Sequence, residues 1–113
     1  MNLTEQQLLD NYTKLRNIVN ETFTGERLDN LNKMYDFFED RIIVAPASGK
    51  PNYHYAFAGG YVLHVLHIVD TARKLTKVYE SIGAVIDYTD EELVFAGLHH
   101  DVGKVGDLEY EYY

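Results

Sequence analysis

Apolar side chains recur every three or four positions along most of this 113-residue chain, the spacing of one face of an α-helix. Leu8, Tyr12, Leu15, Val19 and Thr22 form the first such series. Thr4 stands ahead of it as an N-cap, Gln7 completes a capping box, and Leu3 and Leu8 occupy the staple positions. A helix is therefore predicted over 5–22, broken at Thr24-Gly25. Leu28, Leu31, Tyr35 and Phe38 repeat the pattern, widened by Met34 and Phe37, and predict a second helix over 26–40. Ile42–Ala45 is a short apolar run closed by Pro46 and reads as a buried extended piece. The stretch 46–51 reads as a loop. A third helix is predicted from just after Gly59-Gly60 to Ile82, with Gly83 as its stop. At about 100° per residue, Asp70, Arg73, Lys74, Lys77 and Glu80 share one arc. Ile68, Thr71, Leu75, Val78, Tyr79 and Ile82 share the opposite, inward one, with His64 in its middle and His67 at its edge. A fourth helix opens with the Thr89/Glu92 capping box, carries Leu93, Ala96, Gly97 and His100 on one face, and ends at Asp101–Gly103. Small Ala96 and Gly97 allow that face to approach a neighbouring helix closely. The fold class is all-α; the alternative uses 42–45 as a strand in a mixed fold.

No repeat, low-complexity segment or linker divides the chain, so 1–113 is read as a single helical domain. With no cysteine, disulfides and thiolate metal sites are excluded. A metal here has to be held by histidine, carboxylate and water. No run of about 18 apolar residues is present to span a membrane, and 1–10 has neither a basic nor an apolar leader region. A cytoplasmic location is the expectation. The net charge of −8 disfavours long phosphate backbones. A phosphate-bearing ligand is then expected to be a small molecule or a short single strand. Tyrosines cluster at Tyr53–Tyr61 and Tyr110–Tyr113, and serve either packing or base stacking.

His64, on the inward face of one helix, and the adjacent His100-Asp101, at the end of another, form the constellation that carries chemistry. Two neutral imidazoles and a carboxylate suit a first-row divalent metal. Asp101 at a helix C-terminus opposes the macrodipole, and a nearby cation removes that penalty. Each residue alone has a plainer reading, as a hydrogen-bonded core histidine or a helix stop. Their combination, followed by Val102-Gly103-Lys104, is harder to derive from packing.

Leu98-His99-His100-Asp101-Val102-Gly103-Lys104 resembles the signature that names the HD-domain phosphohydrolases. Gly59-Gly60-Tyr61-Val62-Leu63-His64 resembles the glycine pair and first histidine of that superfamily. His54-Tyr55-Ala56-Phe57-Ala58 resembles the histidine-rich lead-in of its 3′–5′ exoribonuclease-like members. The resemblance spans residues 54–107, with 1–53 as N-terminal helices packing on that region. It implies an HD-domain-like helical bundle and metal-dependent hydrolysis of a phosphate ester in a nucleotide or short nucleic acid. The implied metal ligands are His64, His100 and Asp101, and the ion is Mn, Fe, Ni, Mg, Co or Zn.

Under this reading Asp101 also orients a water. Lys104 and His54 offset transition-state charge, and Lys104 with the Gly59 and Gly60 amides holds substrate phosphate. The plainer alternatives are a solvated lysine, a surface histidine and a tight helix entry. His67 is read as a boundary residue and His99 as structural, directed at Phe95 and Val102. Three departures stand out: Leu63, where many relatives are acidic; His99, where an aliphatic residue is usual; and a last family Asp with no counterpart, Asp107 lying too close to Asp101. The expectation is a domain truncated at its C-terminal end, or a homo-oligomer that completes the site, or a non-catalytic metal- or nucleotide-binding module. A di-iron oxygenase reading needs more ligands than these.

Overall fold

The computed structural model describes residues 2–113, and every regular element among them is helical. In chain order these are α1 (Glu5–Thr22), α2 (Gly25–Val44), α3 (Gly60–Ser81), α4 (Asp90–His99) and a short 3₁₀ turn (Val102–Val105). The all-α class follows directly. No described helix is long and apolar enough to cross a membrane.

The helix starts are where the capping chemistry puts them. Thr4 accepts from the Gln7 amide while the Gln7 side chain accepts from the Thr4 amide, and Thr89 and Glu92 repeat the exchange ahead of α4. Each box satisfies two amides that a helix start leaves open. α3 is the hub, touching α1, α2 and α4. Leu15 and Val19 from α1, Tyr35 and Ile42 from α2, Val65 and Val69 from α3, and Val94 and Leu98 from α4 meet in one core, with Phe23 beside them.

Three expectations are corrected. Ile42–Val44 is not an extended piece but the last turn of α2, which runs past residue 40. Only Ala45 is extended, as the C-cap ahead of Pro46, where proline disfavours helical backbone. In α3 the buried residues are Tyr61, Val62, Val65 and Val69, whereas Leu75, Val78, Tyr79 and Ile82 are exposed. The buried stripe continues from Val65 and Val69 into half-buried Ala72 and Thr76, about a quarter-turn from the arc read as inward. In α4 the buried pair is Val94 and Leu98, while Ala96 is exposed. The close approach belongs to Gly97, whose added Cβ would sit 3.2 Å from the Val69 side chain and 3.5 Å from that of Ile68. That contact sets the end of α4 beside the first half of α3, and this juxtaposition builds the site.

Candidate metal centre

His64 lies one turn into α3. His100 is the C-cap of α4 and keeps helical backbone, with φ −59° and ψ −28°; Asp101 then leaves the helix at φ −118° and ψ 13°. The change of direction lets neighbouring residues aim at one point. One ligand atom from each of His64, His100 and Asp101 lies within 4.8 Å of the others, close enough to share a single cation. The His64 and His100 rings meet at 5.5 Å between centroids with planes 64° apart.

Hydrogen bonds fix the chemistry of these groups. His100 Nδ1–H donates to the Gly97 carbonyl at 2.8 Å, since a carbonyl can only accept. In the neutral ring Nε2 then carries a lone pair, and it lies 3.3 Å from Asp101 Oδ2. Two lone pairs at that separation repel unless a proton or a metal ion lies between them. Anchoring of the distal ring nitrogen on a backbone carbonyl is the usual support of a metal-bound histidine. Burial, then the charges of His54 and His100, hold the His64 pKa below the ordinary imidazole value and favour the neutral, ligating form. The donor set fits a divalent first-row ion, and three protein ligands leave positions for water and substrate.

The structure places the other expected site residues unequally. Lys104 Nζ donates to the Ala47 carbonyl at 2.9 Å and stands 3.5 Å from Asp101 Oδ2. It is therefore at the centre. His54 is exposed, its ring 4.8 Å from that of His64, so it borders the site from the loop side. Gly59 and Gly60 are not free phosphate donors: both are buried, and their amides donate to the carbonyls of Val44 and Phe57. Tight helix entry is their role. His99 is structural, because Nδ1–H donates to Phe95 O and Nε2 accepts from the buried Tyr35 hydroxyl, each at 2.8 Å. Asp107 is not among the converging ligands and accepts from the Tyr112 hydroxyl and from the amides of Glu109 and Tyr110. These bonds pull its pKa down to about 2.

Two tyrosines escaped the sequence reading as site neighbours. Tyr55 adopts φ 50°, rare for a residue with a Cβ. Its ring stands edge-on to His64 at 5.3 Å, and its hydroxyl bonds His67 Nδ1 at 2.6 Å. His67 is thereby tied to the wall beside His64. Tyr61, buried under the site, reaches the Leu98 carbonyl at 3.4 Å. Burial and then the Asp101 charge raise its pKa, so it stays a neutral phenol. The one sequence hint of the Tyr55 geometry is its place five residues ahead of Gly60, onto whose Cα its carbonyl packs.

No family model, curated protein or solved structure matches the chain.

The histidines give the metal-free protein an acid-sensitive stability. Burial lowers the pKa of both His64 and His99 in the fold. The native state thus binds fewer protons than the unfolded chain, whose imidazoles titrate near ~6.5. Stability is complete above that value and is lost as pH falls through it. Scanning calorimetry without metal is expected to show Tm falling between about pH 7.5 and about pH 5.5. A flat profile contradicts the assignment.

Proposed function

We propose that the chain is a metal-dependent phosphohydrolase of the HD-domain type, acting on a phosphate ester of a nucleotide or short nucleic acid. The observation that carries this reading is the convergence of His64, His100 and Asp101, with the His100 tautomer fixed so that its free nitrogen faces Asp101. The Gly-Gly…His and His-His-Asp-Val-Gly-Lys segments supply its second support.

A divalent ion held by these three residues supplies charge to polarise a phosphoryl oxygen and to acidify a water. The residues do the rest. His64, kept neutral by burial, and His100 each turn a ring nitrogen toward the point they share with Asp101. Asp101 has two carboxylate oxygens and serves both as ligand and as the acceptor that orients a water. Lys104, braced on Ala47, brings positive charge to the phosphate and offsets the negative charge that builds up in the transition state. In this reading His54, whose ring is 4.8 Å from that of His64, is the proton donor to a leaving oxygen.

A non-catalytic metal-binding module is the second reading. It is favoured by Asp107, the next acid after Asp101, being tied to Tyr112 rather than to the centre. The two readings separate in a hydrolysis screen with p-nitrophenyl phosphate and nucleoside monophosphates, in manganese, nickel, cobalt, zinc or magnesium against EDTA. Turnover that depends on the ion supports the hydrolase. Protein that holds metal yet turns over none of these substrates belongs to the module.

A further inference from the structure

We propose that the hollow between the 48–53 loop and the C-terminal segment is a nucleotide subsite, holding the base and one phosphate of a nucleoside phosphate beside the metal centre. It encloses about 420 Å³ and is lined by Ser48, Lys50, Tyr53, Lys104, Tyr112 and Tyr113. Pockets for small ligands span roughly 300–1,000 Å³. The chain carries 18 acidic and 10 basic side chains, yet two lysines and no acidic side chain among the described residues line this hollow. Two ammonium groups thus meet here on an acidic molecule, Lys50 in the hollow and Lys104 shared with Asp101, an arrangement that draws an anion.

Lys104 joins the two sites: it lines the hollow, and its Nζ stands 3.5 Å from Asp101 Oδ2. The aromatic walls are held in place. The Tyr53 amide donates to the Lys50 carbonyl at 3.0 Å, and Lys50 Nζ sits 5.4 Å from the Tyr53 ring centre. The Tyr112 amide donates to the Lys104 carbonyl at 2.9 Å, while its hydroxyl donates to Asp107. Both rings are nonetheless mostly open, at 58% and 61% exposure. Gly49 packs against the Tyr113 backbone too closely for any Cβ, which closes one wall. Exposed rings, with the Lys50 ammonium over one face of Tyr53, suit a base stacked on the remaining ring surface next to its phosphate. Inorganic phosphate would use the lysines and leave the rings idle.

The inference deepens the hydrolase reading and rests on it only for the link between subsite and reaction; ligand binding in the hollow needs no metal. The test is isothermal titration of the full chain in EDTA with adenosine monophosphate and with ribose 5-phosphate. Saturable binding of the nucleotide is expected, about 10-fold tighter than that of the sugar phosphate. Tyr53→Ala should remove that advantage, Lys50→Ala should weaken both ligands alike, and Lys77→Ala, at a different hollow, should change neither. Lys50 and Tyr53 are both exposed, so circular dichroism should show those variants folded. No saturable nucleotide binding, or Tyr53→Ala and Tyr112→Ala proteins that bind it like wild type, overturns the subsite. Metal content measured on the same samples reports on the hydrolase reading independently.

Discussion

Asp101→Ala is expected to lower metal-dependent phosphoester turnover by about a thousandfold, equivalent to roughly 4 kcal/mol of transition-state stabilisation. Bound metal should fall with it. Asp101 is the one carboxylate of the cluster and stands 3.3 Å from His100 Nε2 and 3.5 Å from Lys104 Nζ. Its removal costs a ligand and leaves Lys104 next to two imidazoles without a counter-charge. The side chain is 28% exposed, so the fold should survive. Steady-state kinetics with metal titrated to saturation, alongside a thermal melt, check both parts. Wild-type turnover in the variant contradicts the role given to Asp101.

A large stability effect is expected at a residue with no side chain. Gly60 opens α3, and a Cβ there would fall inside contact distance of the Tyr55 carbonyl oxygen, which is backbone and cannot swing aside. Gly60→Ala should destabilise by about 3 kcal/mol, the upper end for overpacking, and lower Tm by more than about 10 °C. Gly103→Ala is the internal comparison. Nothing lies within 4 Å of its Cβ, so a change within about 0.5 kcal/mol is expected. Chemical denaturation of the two variants measures the difference. Since Tyr55 stands against His64, Gly60→Ala should also weaken metal binding in the fraction that folds.

The two capping boxes made the starts of α1 and α4 legible, because a cap is a local arrangement that needs no tertiary partner. The ends were harder to place. α2 runs through Ile42–Val44 because Ile42 is buried in the core, and an apolar triplet reads equally well as strand or helix until the core is known. The inward arc drawn through Leu75, Val78, Tyr79 and Ile82 misplaced burial for a related reason. Periodicity fixes which residues share a face of a helix but not which face its neighbours cover: Ala72 and Thr76 continue the buried stripe of Val65 and Val69.

At the centre, residue type and order were enough to gather His64, His100 and Asp101, and to set His99 apart. The glycine pair was misleading as a phosphate cradle, since the chain's own carbonyls from Val44 and Phe57 take its amides. Tyr55 was invisible as a neighbour of His64, because its position depends on a left-handed backbone angle and on a bond to His67 that no spacing encodes.

Which imidazoles respond to added metal tests the centre most directly. Nitrogen-15 side-chain NMR of the full chain, titrated with zinc, reads each histidine ring separately. His64 and His100 should shift together and saturate near one equivalent. His99, with both nitrogens engaged, should not move. No saturable shift at His64 and His100, or a response confined to His54 and His67, would contradict the metal centre described above.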